Sequence, residues 1–182
     1  MKCELWYSVV VRDRHGKIVS RERRRSRSFL QQWNQMVYVQ MRQTNFYIND
    51  TSGFTATVSK QHNNFEMIAS SGSVSRGIVV GTGTTPVAID DYALESQIAE
   101  GTGVDEMNHL TCTVATSIVA APSCSFVVSR SIVNNSAAEI TVREAAIYTY
   151  SGIYNFCLIR DVFGTPQTAP IDGMSSSRYM TP

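Results

Sequence analysis

The chain has 182 residues and 20.2 kDa, with 43% apolar and only 17% charged residues and a formal net charge of +1. That apolar content is too high for a disordered chain, and there is no collagen period. No run reaches the 18 apolar residues a membrane helix needs. Much of the missing charge is replaced by Ser, Thr, Asn and Gln, the uncharged hydrogen-bonding surface common in extracellular and assembly proteins. The start, Met-Lys-Cys-Glu-Leu-Trp-Tyr, has no apolar signal core and no small-residue cleavage site, so synthesis in the cytoplasm is expected.

Leu5–Val11 reads as a strand of aromatic and β-branched residues. Arg12–Gly16 reads as a turn, and Lys17 to about Arg25 as the returning strand of a hairpin. Ser28 with Gln31 matches a capping box, and Phe29, Trp33, Met36, Val37 and Met41 recur at helical spacing. These predict one helix over 28–42 with that stripe packed on a sheet. From residue 54 the pattern becomes strand-like: Phe54–Ser59, Arg76–Gly81, Ala93–Ala99, Leu110–Ala120, Cys124–Val133, Glu139–Tyr150 and Ile153–Val162, with a hairpin at Tyr150–Ile153. Evenly spaced short strands with one helix predict a mainly β chain, an antiparallel sandwich or jelly-roll-like fold. Residues 1–163 form one β-rich domain in this reading: basic hairpin 5–27, helix 28–42, sandwich 44–163. Residues 164–182, with Pro166, Pro170, Pro182 and Ser175–Ser177, form an extended C-terminal arm outside the core.

The near-zero net charge hides a segregation. Residues 12–27 hold eight basic against two acidic side chains, a net +6; residues 90–106 hold six acidic side chains and no basic one. Thirteen of the sixteen cations are arginine, whose planar fork pairs bidentately with carboxylates and phosphates. Three readings suit Arg21, Arg23, Arg24, Arg25 and Arg27: a solvated strand edge, phosphate contact with nucleic acid, or pairing with an acidic protein surface. The third is preferred, with Asp90, Asp91 and Glu95 of a neighbouring copy as one acidic partner, because closed rings reuse one head-to-tail contact. Regular strand alternation would place Arg21, Arg23 and Arg25 on one face.

Other motifs point away from catalysis. Gly81-Thr-Gly-Thr-Thr-Pro86 suggests a phosphate loop but lacks its terminal Lys. Glu106 and His109 at i, i+3, even with Asp90 or Asp91, make an incomplete metal set. There is no G-x-S-x-G and no H-E-x-x-H. No catalytic residue, metal or cofactor is therefore expected, and the chain is not read as an enzyme. Cys3, Cys112, Cys124 and Cys157 read as buried free thiols, with a Cys112–Cys124 hairpin bridge as the alternative. Asn49-Asp-Thr51 and Asn134-Asn-Ser136 match the glycosylation acceptor and carry little weight without a leader.

Three blocks carry a resemblance: GIVVGTGTTPVAIDDYALESQI (Gly77–Ile98), FVVSRSIVNNSAAEITVREAAIY (Phe126–Tyr148) and LIRDV (Leu158–Val162). Together they resemble structural proteins of tailed bacteriophages and related prophages, of the tail, neck, fibre or capsid-decoration kind. The resemblance implies a virion location and a homo-oligomer working with other virion proteins through protein–protein contacts. It also implies a further alternating strand near the end, of which Gly173-Met-Ser-Ser-Ser-Arg-Tyr179 is a weak form. A receptor- or glycan-binding tip protein is the runner-up and should show exposed Trp and Tyr; Trp6 and Trp33 sit in predicted core elements. A nucleic-acid-binding accessory protein comes third.

Overall fold

The computed structural model describes residues 4–26, 28–121 and 123–180, with Ser123 and residues 174–180 described as backbone only. Cys3, Arg27 and Pro182 lie outside the described residues. β1 (Leu5–Arg12) and β2 (Ile18–Ser26) form the expected hairpin. Asp13 Oδ1 accepts from the backbone N–H groups of His15 and Lys17 at 2.9 and 3.0 Å, which holds the turn.

The helix α1 (Gln31–Arg42) begins two residues later than the capping box predicts, and its N-cap, Leu30, makes no side-chain cap bond. The sheet captures the preceding residues instead. Leu30 N–H donates to Leu158 O at 3.0 Å, Arg160 N–H donates to Ser28 O at 3.4 Å, and Phe29 bridges Ile159. Ladder bonds hold Ser28 extended, so it cannot cap. The buried face is Gln32, Met36 and Val39; Phe29 and Trp33 pack half-buried against the core. Met41, predicted in the apolar stripe, is 82% exposed, because it follows Val39 by two positions and so points to the other side of the helix.

The remaining strands are β3 (Phe46–Asn49), β4 (Thr55–Val58), β5 (Gly77–Gly81), β6 (Ala99–Glu100), β7 (Glu106–Val114), β8 (Ile118–Ala120), β9 (Ser123–Ser125), β10 (Val127–Val133), β11 (Ile140–Ser151), β12 (Tyr154–Ala169) and β13 (Met174–Met180). The chain is mainly β, as the strand-like runs predict. A six-stranded sheet, β2-β1-β13-β10-β7-β6, and a three-stranded sheet, β12-β11-β5, contribute to one apolar core. Pairing is antiparallel except for the short β6–β7 contact. Smaller ladders join β3 to β4 and β8 to β9. The β11–β12 hairpin turns at Gly152 (φ +68°) as expected, with Ser151 opposite Tyr154; a positive φ at the first loop position suits a tight β-hairpin turn.

Three expectations are corrected. Residues 93–98 are a loop rather than a strand, because their polar groups are spent on side-chain bonds described below. The 110–120 run is two strands, broken at 115–117. The C-terminal segment is not an arm. Residues 164–169 finish β12, and β13 inserts between β1 and β10, with Ser8 and Ser129 both opposite Arg178. Pro166 is tolerated in β12 because the β11 register slips between Val142 and Glu144, so its missing N–H falls at an irregularity.

The second face of the three-stranded sheet is covered by the 82–98 loop. Val79, Ala146, Tyr148 and Cys157 form a small apolar cluster there with Leu30 and Leu94.

Candidate functional site

Pairing of β2 with β1 sets Arg21 opposite Val10, Arg23 opposite Ser8 and Arg25 opposite Trp6. Glu22 and Ser26, at alternate positions of the strand, are buried, so the three arginines share the outer face, as alternation requires. β2 is also an edge strand of its sheet. Arg25 Nη2 lies 3.1 Å from Glu4 Oε1, and the Arg23 guanidinium sits 5.4 Å from the Trp6 ring centroid. Arg21 is exposed with no ion-pair partner among the described residues. Arg24 belongs to the other face. Its Nε contacts Glu22 Oε1 at 2.7 Å, and its guanidinium lies over Gly164, where a methyl group would collide with it. Buried Glu22 also accepts from Tyr7 Oη at 3.0 Å and Gln167 Nε2 at 3.3 Å. Burial, then the Glu22 charge, pushes the Tyr7 phenol well up. Arg24, still exposed, thus lies on the opposite face of β2 from Arg21, Arg23 and Arg25.

Two carboxylates of the acidic segment, Asp91 and Glu95, which the sequence reading pairs with a neighbour's arginines, have partners inside their own chain. Arg160, 2% exposed, donates from Nε to Glu144 Oε2 at 2.8 Å, from Nη1 to Asp91 Oδ2 at 2.7 Å and from Nη2 to Thr85 O at 3.1 Å. Glu95 Oε2 lies 3.7 Å from Nη2. Burial pulls the Arg160 pKa down, but bonds to Glu144 and Asp91 outweigh it and leave it raised. Asp90 is exposed and remains outside this network.

The Gly-Thr-Gly-Thr-Thr loop does hold an anion, and the anion is the protein's own. Gly83 N–H donates to Glu144 Oε1 at 3.1 Å; the N–H groups of Thr84 and Thr85 donate to Glu95 Oε2 at 2.7 and 2.8 Å; Thr85 Oγ1 donates to Glu95 Oε1 at 2.6 Å. Glu144 closes the far side by accepting from Ser96 N–H at 2.9 Å and Glu95 N–H at 3.2 Å. A Cβ at Gly81 or Gly83 would stand 2.5 Å from Glu144 Oε1, so both positions need a bare backbone. The Thr85 hydroxyl and the Thr85 and Thr84 amides hold the Glu95 carboxyl below its usual range. A cleft of about 380 Å³ lies beside Asp90, Tyr92 and Arg160, whose guanidinium is already occupied. The three blocks that carry the resemblance meet here: the glycines come from the first, Glu144 from the second and Arg160 from the third.

A second buried arginine works differently. Arg130 donates to the carbonyls of Leu110 (2.7 Å), Ile78 (2.9 Å) and Ser73 (2.6 Å), tying β10 to β7, β5 and the 70–76 loop. Burial lowers its pKa, though Cys112 and Glu100 oppose this.

His109 is fully buried, its Nδ1 3.0 Å from both Glu100 Oε2 and Met107 O. Both neighbours are acceptors, so Nδ1 carries a proton. Burial, then Arg130, lowers its pKa. Glu106 lies apart, accepting from Gly103 N–H at 2.9 Å. Among the described residues no group of three or more His, Cys, Asp or Glu could hold a metal ion. Cys112 and Cys157 are buried free thiols, pushed up mainly by burial. Cys124 is free and exposed, against the expectation of burial, and does not bridge Cys112. Asn134 is buried, its amide donating to Ala138 O and Ala169 O, so the second glycosylation match is spent on a turn.

Sequence reasoning did not single out four exposed aromatic side chains, of which Phe46 and Tyr47 fall in residues 44–53, where it assigned no element. Tyr47 and Phe54 are 71% and 73% exposed, and Tyr38 meets Phe46 edge-on at 5.5 Å. Both tryptophans are only half-buried, Trp6 on the outer sheet face and Trp33 at the core margin. Comparison with protein-family models, curated proteins and solved structures finds no match.

Proposed function

We propose that the protein is a structural subunit of a tailed-phage particle that docks on neck, tail or capsid through protein–protein contacts. The observation that carries the docking reading is the row Arg21, Arg23, Arg25 on the outer face of an edge strand. Three cations in line repel one another and lose side-chain entropy when fixed. A partner's carboxylates offset both effects, and such pairing sets partner choice and register more than affinity. Because Asp91 and Glu95 are internally committed, the partner surface is an acidic face of another virion protein. The virion assignment itself is supported by the three-block resemblance. The test is incorporation: tagged wild type and the Arg21→Glu/Arg23→Glu/Arg25→Glu variant are expressed in virus-producing cells, and chain is quantified in gradient-purified particles. Wild type should co-purify and the variant should not. Absence of wild type from particles sinks the virion reading. Incorporation of the variant with loss of packaged nucleic-acid contact favours the nucleic-acid reading.

A receptor- or glycan-binding tip remains the second reading, favoured by the exposed Tyr38, Phe46, Tyr47 and Phe54. Flat aromatic faces suit sugar rings, and saturable glycan binding abolished by Tyr47→Ala would promote it.

A further inference from the structure

The β7–β10 ladder does not stop where the sandwich does. Beyond the Val114–Val128 pair, Ala115 N–H donates to Val127 O at 2.8 Å, and the two chains continue as β8 and β9, pairing Ile118 with Ser125 and Val119 with Cys124. Residues 113–121 and Cys124 are all exposed. Ile118 and Val119 expose 64% and 78% of their surface. The twenty residues 110–129 contain no charged side chain. A lone two-stranded ribbon is marginal in water, and edge strands are normally guarded by charge. Among the described residues this ribbon has no third strand, its sequence holds no charged guard, and it presents two β-branched apolar side chains to solvent.

At its foot lies an apolar groove of about 530 Å³, lined chiefly by Trp33, Phe65, Met67, Val114, Ala115 and Phe126. Trp33 and Phe65 meet edge-on at 5.5 Å, and together with Phe126 they pack against the main core while remaining partly open. Among the described residues none that lines the groove is charged. The chain's own Ile118 and Val119 are exposed, so they do not fill it.

We propose that the 118–125 ribbon of one copy seats in this groove of a second copy by the face that carries Val119 and its cross-strand neighbour Cys124, with Val119 as the anchor. The occupant follows from three features. A charged segment would lose its hydration in a groove without a counter-charge, whereas this ribbon is uncharged. Val119 is stiff at χ1, so seating it costs little side-chain entropy. Each copy carries one ribbon and one groove, the stoichiometry of a repeated contact in a homo-oligomer. The contact is separate from the arginine row, so Arg21→Glu/Arg23→Glu/Arg25→Glu should leave it intact.

The experiment is sedimentation and light scattering of the full chain under reducing conditions over a wide concentration range. Wild type should self-associate. Val119→Asp, which spoils the ribbon, and Ala115→Arg, which fills the groove, should each be monomeric with unchanged circular dichroism. Mixed together they should give a 1:1 dimer, because the first retains a groove and the second a ribbon. Alkylation of Cys124 provides a readout that needs no substitution: it should slow as wild type passes from dilute monomer to assembled form. Wild type that stays monomeric to its solubility limit overturns the proposal. So does a Val119→Asp variant that assembles like wild type, a mixture of the two variants that stays monomeric, or a Cys124 rate independent of assembly.

Discussion

Arg160 and the β2 arginines have the same side chain in opposite settings. Arg160 is buried and divided among Glu144, Asp91 and a backbone carbonyl. Arg21, Arg23 and Arg25 face solvent, with one carboxylate, Glu4, between them as a close ion-pair partner among the described residues. A buried charge must be paired or the fold fails; an exposed row of like charges contributes almost nothing to the fold. The difference separates arginine used for architecture from arginine available for a partner.

The largest expected effect comes from breaking the buried side. Glu144→Gln should cost about 3–5 kcal/mol in urea unfolding, because it removes one partner of a buried ion pair. A loss below about 1 kcal/mol would mean that water reaches Arg160 and that the cluster is not architectural. Adding Arg160→Met should recover only part of the loss, since the N–H groups of Gly83 and Ser96 also depend on the Glu144 carboxylate.

Next in size is Gly83→Ala. The new methyl would stand 2.5 Å from Glu144 Oε1 and 2.6 Å from Glu95 Cβ, and overpacking of this kind costs about 1–3 kcal/mol. A neutral result would show that the loop can back away and that the motif's glycines are incidental.

Acid should loosen the molecule in two stages. His109 has a folded-state pKa below its ordinary 6.5, so the unfolded chain takes up that proton first. The stability of the neutral ring is complete above about pH 6.5 and is lost as pH falls through the folded value. Glu95 and Glu100 sit below their ordinary 4.5; their contribution is complete above that value and is lost as pH falls further. Glu100 is held down against its own burial by the His109 backbone N–H, the Asn108 amide and the His109 ring. His109→Gln should therefore flatten melting temperature against pH just below 6.5 while leaving the lower stage. An unchanged slope there would place the titration elsewhere.

Sequence pattern made the β1–β2 hairpin, the helix and the β11–β12 hairpin legible, because each is a local periodicity with its own turn or apolar stripe. Residue pattern alone assigned β13 to an arm, and only the resemblance pointed to a strand at 173–179, because Ser175, Ser176 and Ser177 carry little strand preference and the place between β1 and β10 is decided by long-range pairing. The Arg160 cluster was hidden for the same reason, since its partners come from residues 83–96, 144 and 160. One clue was present: Glu144 and Arg160 each interrupt an apolar strand, and a charge in such a run implies a buried partner. The shared face of Arg21, Arg23 and Arg25 followed from alternation alone. The commitment of Asp91 and Glu95 did not, because net charge counts residues without regard to their partners.

The smallest expected effect on stability is also the most direct test of the account. Arg21→Glu/Arg23→Glu/Arg25→Glu should shift unfolding free energy by less than about 1 kcal/mol, as exposed pairs do, and at the same time abolish incorporation into particles. The measurement is one protein with two readouts, urea unfolding and the amount of chain in purified particles. A stable variant missing from particles is the result predicted. A stable variant incorporated like wild type would contradict the account and leave the row a solvated edge.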